Sequence, residues 1–129
     1  MSKTYDVLKS TRYKMYDQQG RHVYLTVADD PVVGTPLELW VTLPDENKLE
    51  EQVLKTDVTT IAALFTEARQ GGVPYSKLFV AMDRTCYSKQ SIPYLLLTKL
   101  EEHCPLDKAK RLEFEFATES QKEVLDVEV

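Results

Sequence analysis

Three short runs in which apolar and polar residues alternate constrain the fold of this chain more than any other feature. When the pattern repeats every two residues, apolar side chains lie on one face of a β-strand and polar side chains lie on the other. The runs cover residues 12–16, 22–27 and 37–43, and turn-forming segments at 17–21 and 28–36 separate them. We therefore predict a three-stranded antiparallel meander with one buried face and one partly solvated face.

A helical period follows the meander in the middle of the chain. Its apolar positions are Val58, Ile61, Ala62, Phe65 and Ala68. This spacing predicts an amphipathic helix that has Asp57 as its N-cap and ends at Gly71-Gly72. Residues 47–55 fit a shorter helical turn. Residues 74–82 fit a strand or a helix equally well on periodicity alone.

A further helix is predicted after Ser91, which has the character of an N-cap, with Pro93 in the first turn and Pro105 just beyond the end. The alternation of Leu112, Phe114 and Phe116 with charged residues then predicts a last strand. Residues 119–129 are predicted to form a loose acidic tail.

These patterns together predict one α+β domain over residues 1–118. It would consist of a small antiparallel sheet, namely the meander plus the C-terminal strand, with two to three helices packed on one face. The predicted core residues are Leu25, Val27, Leu39, Val41, Ile61, Phe65, Leu96 and Leu100.

Trp40 is predicted on the opposite face of the sheet, where it forms a half-apolar surface with Tyr24, Thr42 and Tyr16. Such a surface leads us to expect self-association or a protein partner.

Composition bounds the compartment and the partners. The net charge of -5 argues against a nucleic-acid partner. No apolar run is long enough to span a membrane, and no signal peptide is visible, so we expect a cytoplasmic protein. The two cysteines, Cys86 and Cys104, fit reduced thiols in that compartment.

The sequence offers little specific support for catalysis. Cys86 is a candidate nucleophile, but it needs a neighbouring base or a helix N-terminus to lower its pKa. His103-Cys104 lacks the paired spacing of a zinc site, and a histidine in the last helical turn is explained by the helix dipole. The adjacent carboxylates Asp29-Asp30 fit a solvated turn. We predict a protein that is not an enzyme and that needs no metal or cofactor.

The polar segment between residues 74–82 and the helix predicted after Ser91 is a better candidate for ligand binding. Its predicted site residues are Arg84, Thr85, Tyr87, Lys89 and Ser91. They supply positive charge, hydroxyl donors and an aromatic ring just before a helix N-terminus, where free amides favour anions. The alternative is a polar connection with a helix cap. On the first interpretation, the ligand is a nucleotide.

Four fragments in order resemble the TSCPD domain, a small domain found near the C-terminus of adenosylcobalamin-dependent (class II) ribonucleotide reductases and in short stand-alone proteins. The fragments are "VLKSTRYKM" (7–15), "VYLTVADDPVVGTPLELWV" (23–41), "EARQGGVPYSKLFVAM" (67–82) and "QSIPYLLLTKL" (90–100). The resemblance covers about residues 5–103, and it favours helix over strand for residues 74–82.

The chain departs from the family at the central Ser-Cys-Pro-Asp of its last motif. Ser91 and Pro93 are present, but Ile92 and Tyr94 replace the cysteine and the aspartate. The resemblance therefore does not imply a metal site, a redox role or reductase activity. It implies a role connected with nucleotide metabolism. We expect a stand-alone module that binds a nucleotide or a protein of nucleotide metabolism. The alternative is an inhibitor encoded by a phage or mobile element, which sequesters a nucleotide signal or blocks a host defence enzyme.

Overall fold

A computed structural model of the chain describes residues 8–43 and 49–128 and has an α+β fold, as predicted. Its elements in chain order are β1 (Ser10–Tyr16), β2 (His22–Asp29), β3 (Pro36–Thr42), α1 (Leu49–Gln70), α2 (Tyr75–Thr85), α3 (Ile92–His103) and α4 (Leu106–Glu128). In these two ranges, no helix is long and apolar enough to cross a membrane.

The predicted meander is confirmed. The strand order is β1-β2-β3, and both neighbouring pairs are antiparallel. The Asp17 carboxylate stabilises the first turn because it accepts the amides of Gln19 and Arg21 and pairs with the Arg21 guanidinium at 2.6 Å. Gly20 adopts a φ of 79°, the left-handed region that glycine enters without a steric cost.

The inner face of the sheet packs against the helices to form one core. The sheet contributes Met15, Val23, Leu25, Val27, Leu39 and Val41, and the helices contribute Val58, Ala62, Phe65, Phe79, Leu96 and Leu100, among others. Of the predicted core residues, Ile61 alone is half-buried and the rest are buried. The period-two and helical patterns therefore identified the buried faces correctly.

Helix α1 covers the outer edge of β3. The Thr66 hydroxyl accepts a hydrogen bond from the Leu39 amide at 3.0 Å and donates one to the Leu39 carbonyl at 3.4 Å. An uncovered edge strand presents backbone groups that pair with other chains. The helix thus protects this side of the sheet.

The predicted start of α1 at Asp57 is wrong. The helix begins at Leu49, and residues 49–55, predicted as a separate turn, form its first two turns; residues 47 and 48 lie outside the described residues. The reason is that half-buried Leu54 precedes buried Val58 and Ala62 at intervals of four, so one helical face continues across Asp57.

The predicted C-terminal strand is also wrong, because α4 includes residues 112–116. Ala109 is buried, Leu112 and Glu113 are half-buried, and Phe114 is 72% exposed, which is the burial pattern of a helix and not of a strand. The helix continues through Glu128, so its backbone includes residues 119–128, which were predicted to be a loose tail. The helical alternative for residues 74–82 is correct, and Ser91 is the N-cap of α3.

Candidate functional site

The five residues predicted as a site lie at the end of α2, in the connection that follows it and at the start of α3. Arg84 and Thr85 are in the last turn of α2, Tyr87 and Lys89 are in the connection, and Ser91 caps α3. Tyr87 is 94% exposed. Lys89 and Ser91 line a groove of about 250 Å³, and the other three residues do not.

The two hydroxyl groups expected to donate to an anion, those of Thr85 and Ser91, donate within the chain. Thr85 Oγ1 donates to the Ala81 carbonyl at 3.0 Å. Ser91 Oγ donates to the Ser88 carbonyl at 2.7 Å and accepts the Tyr94 amide at 3.3 Å. Because proline has no amide hydrogen, Pro93 adds no donor to this helix end. The groove at α3 therefore offers less to an anion than the sequence pattern indicated.

A separate cleft lies at the C-terminal end of α1, and we call it the Arg69 cleft. Its volume is about 310 Å³. Asp30, Thr35 and Arg69 line its polar part, Val33, Leu37, Pro74, Phe116 and Ala117 its apolar part, and Gln70, Gly72 and Glu113 complete it. The β2–β3 connection, the end of α1, the turn before α2 and the side of α4 thus meet around one space.

Arg69 is the central group of this cleft and is only 8% exposed. Its Nε donates to the Pro36 carbonyl at 2.7 Å, its Nη1 to the Val73 carbonyl at 2.9 Å and its Nη2 to Thr35 Oγ1 at 3.0 Å. Burial lowers the pKa of the guanidinium, while the neighbouring carboxylates of Asp30 and Glu113 act in the opposite direction. An arginine keeps its charge in proteins, so a buried cation faces the cleft.

Asp30 lies beside Arg69 without a direct hydrogen bond to it. Its Oδ1 accepts the amides of Val32 at 2.8 Å and Val33 at 3.2 Å, which holds the loop in shape. Its Oδ2 is 4.0 Å from Arg69 Nη2, which is beyond hydrogen-bonding distance. Nη2 carries two N–H groups, and Thr35 accepts one of them. An acceptor and a donor therefore stand side by side at the polar end of the cleft.

Glu113 reaches from α4 to the N-terminus of α2. Its Oε1 accepts the Ser76 amide at 2.9 Å, and its Oε2 accepts the Ser76 hydroxyl at 2.6 Å. It thereby caps a helix whose own N-cap residue, Pro74, makes no side-chain hydrogen bond. With Arg69, Asp30 and Glu113, the cleft has one positive and two negative side chains, so it does not favour a phosphate group.

A second polar cluster joins α3 to the sheet. The Tyr13 hydroxyl contacts His103 Nδ1 at 2.5 Å, and His103 Nε2 lies 2.9 Å from Asp29 Oδ1. Burial and the nearby Asp29 carboxylate raise the pKa of Tyr13. These three residues line neither the Arg69 cleft nor the groove at Lys89. We interpret the cluster as a structural contact that holds the end of α3 to the sheet.

Several of these residues were missed or misjudged from the sequence. Asp29 and Asp30 were interpreted as a solvated pair, yet one pairs with His103 and the other is buried beside Arg69. Arg69 continues the apolar face of α1 at the spacing of Val58, Ala62 and Phe65. A charged residue on an apolar helical face was the one local signal of this site. Among the described residues, no group of three or more metal-ligating side chains converges.

Comparisons with protein-family models, with curated proteins and with solved structures each found no match to this chain. The resemblance to the TSCPD domain therefore stays a prediction.

Proposed function

We propose that this chain is a non-enzymatic binding domain and that the Arg69 cleft receives the base of a nucleoside or nucleotide. The observation that carries the proposal is the pair formed by Arg69 Nη2 and Asp30 Oδ2, which are 4.0 Å apart in a cleft of about 310 Å³. Both side chains are buried, and this oxygen and nitrogen do not hydrogen-bond to each other.

A donor beside an acceptor is complementary to a lactam, in which a carbonyl oxygen adjoins an N–H group. The carbonyl of the base would accept from Arg69 Nη2, and its N–H would donate to Asp30 Oδ2. Hypoxanthine, guanine and uracil carry such an edge, whereas adenine has no carbonyl. Hydrogen bonds to charged groups contribute about 1.5–3 kcal/mol each, which is enough to discriminate between these bases.

The remainder of the cleft fits a flat, mostly apolar ring. Leu37 and Pro74 form part of its wall, and Phe116, which is 36% exposed, lies at the side formed by α4. The volume is at the lower end of the range for small-molecule sites, about 300–1,000 Å³. Because the carboxylates outnumber the single arginine, the phosphate of a nucleotide would extend into solvent.

The test is calorimetry of the chain with inosine and with adenosine, which differ at the edge that the pair would contact. We expect inosine to bind about 10- to 150-fold more tightly than adenosine. Asp30→Asn should abolish this preference, since Asn Oδ1 can still accept the Val32 and Val33 amides while a donor replaces Oδ2. Phe116→Ala should weaken binding, and Phe114→Ala on the exposed side of the same helix is the matched control.

Failure of guanosine, inosine and uridine to bind would contradict the proposal, as would equal binding of inosine and adenosine. Catalysis is not part of the proposal, so the nucleoside should be recovered unchanged. A sequestering inhibitor would bind the same ligand, and genes adjacent to this one would distinguish that role from a role in nucleotide metabolism.

A further inference from the structure

The face of the sheet that points away from the core carries aromatic and basic side chains together. We define the outer sheet face by Arg12, Lys14, Tyr16, His22, Tyr24 and Trp40. Tyr16 is 55% exposed and Trp40 is 52% exposed. The strand register places Arg12 opposite Thr26 and Thr26 opposite Trp40, so the basic and aromatic groups lie across all three strands.

The charge on this face is opposite in sign to that of the whole chain. The Arg12 guanidinium carbon lies 4.3 Å from the centre of the Tyr24 ring, and Lys14 Nζ lies 5.7 Å from that of Tyr16. Among the outward positions of the three described strands, Glu38 is the one acidic residue, and its Oε1 accepts a hydrogen bond from Gln70 at 2.8 Å. A local positive surface therefore exists on a chain of net charge -5.

We infer that the outer sheet face binds single-stranded nucleic acid. Sheet surfaces with exposed aromatic rings stack unpaired bases, about two or three on one small sheet, while basic side chains pair with the phosphates. Tyr16 and Trp40 supply exposed rings, and Arg12 and Lys14 supply the charges. The net charge of the chain had argued against such a partner, but binding depends on the local surface that the strands assemble.

A second copy of the chain fits this face less well. A two-fold interface would place the same patch on both subunits and bring the Arg12 and Lys14 charges of each copy together. Like charges across an interface suppress association. A single-stranded nucleic acid carries both phosphates and planar bases, so it is complementary to the basic groups and to the aromatic rings of the outer sheet face.

The experiment is fluorescence anisotropy of a labelled oligothymidylate of eight nucleotides, titrated with the whole chain at several salt concentrations. We expect a Kd of about 1–100 µM at low salt. Two phosphate contacts predict that log K falls with log salt with a slope of about -1.4, since each contact on a single strand contributes about -0.7. Trp40→Ala should weaken binding about 5- to 150-fold, and Tyr16→Ala provides a second test of stacking.

Two matched controls separate this face from unspecific effects. Phe114→Ala removes an exposed ring from α4 and should leave binding unchanged. Arg12→Ala/Lys14→Ala should remove the salt dependence, whereas Lys108→Ala/Lys110→Ala changes the net charge equally and should preserve it. Phe116→Ala in the Arg69 cleft should also preserve oligothymidylate binding. The proposed nucleoside site and the outer sheet face can therefore be tested separately.

Several outcomes would overturn the inference. One is the absence of binding at low salt. Another is an equal loss of binding in the Arg12→Ala/Lys14→Ala and Lys108→Ala/Lys110→Ala variants. A third is sedimentation that shows a wild-type dimer which Trp40→Ala converts to a monomer, because a second copy would then occupy the face.

Discussion

At the scale of single residues, Tyr75 is buried within the core, and its hydroxyl has no hydrogen-bond partner among the described residues. Its ring lies edge-on to Phe65, with centroids 6.0 Å apart. Burial raises the pKa of Tyr75, which favours the neutral, protonated hydroxyl. A buried polar group without a partner costs about 1–3 kcal/mol of stability.

We therefore predict that Tyr75→Phe leaves the free energy of unfolding unchanged or raises it by about 1 kcal/mol. Tyr13→Phe is the control, since its hydroxyl contacts His103 and its loss should lower the free energy of unfolding by about 0.5–1.5 kcal/mol. Urea denaturation of both variants measures the difference. If Tyr75→Phe destabilises the chain as much as Tyr13→Phe does, the Tyr75 hydroxyl has a partner after all.

At the scale of secondary-structure elements, α1 has a buried face and an exposed face, and the adjacent residues Phe65 and Leu64 lie on one each. Phe65 is 3% exposed and packs in the core, whereas Leu64 is 66% exposed on the other side. We predict that Phe65→Ala lowers the free energy of unfolding by about 3–5 kcal/mol, because it leaves a cavity between the helix and the sheet. Leu64→Ala should change it by less than about 0.5 kcal/mol. Equal urea midpoints for the two variants would show that the helix presents a different face to the core.

The elements also show why one local pattern was misleading. Residues 112–116 alternate between apolar and charged, which fits a strand, but Leu112, Glu113 and Glu115 are good helix formers. Ala109 and Glu113, four residues apart, face the core and α2, and Glu113 caps α2 at Ser76. Contacts with a distant element therefore decided between two local interpretations that alternation could not separate.

At the scale of the whole molecule, Arg69 joins segments that are far apart in the chain. It donates to Thr35 and Pro36 in the β2–β3 connection and to Val73 before α2. We predict that Arg69→Ala lowers the free energy of unfolding by about 3–5 kcal/mol, because it leaves buried acceptors and Asp30 without their partner. Arg111→Ala is the control, since Arg111 is exposed and lies 3.9 Å from Glu115, and such pairs contribute about 0–1 kcal/mol. Similar thermal stability of the two variants would contradict the role of Arg69 as a link.

The sequence by itself determined the elements that depend on local properties. Alternation in residues 12–16, 22–27 and 37–43 specified the three strands and their buried face, because side chains on a strand point to opposite sides in turn. The cap at Ser91 and the glycine at position 20 likewise act through groups a few residues away. These features need no knowledge of the remaining chain.

Only the tertiary structure decided what lines the cleft and which residues of the outer sheet face are neighbours across the strands. Asp30, Arg69 and Glu113 are separated by dozens of residues and meet because the meander, α1 and α4 pack on one core. The register across three strands likewise places Arg12 in line with Trp40, with Thr26 between them. Hydrogen bonds and charges act over a few ångströms in space, and local sequence patterns do not encode which distant segments come that close.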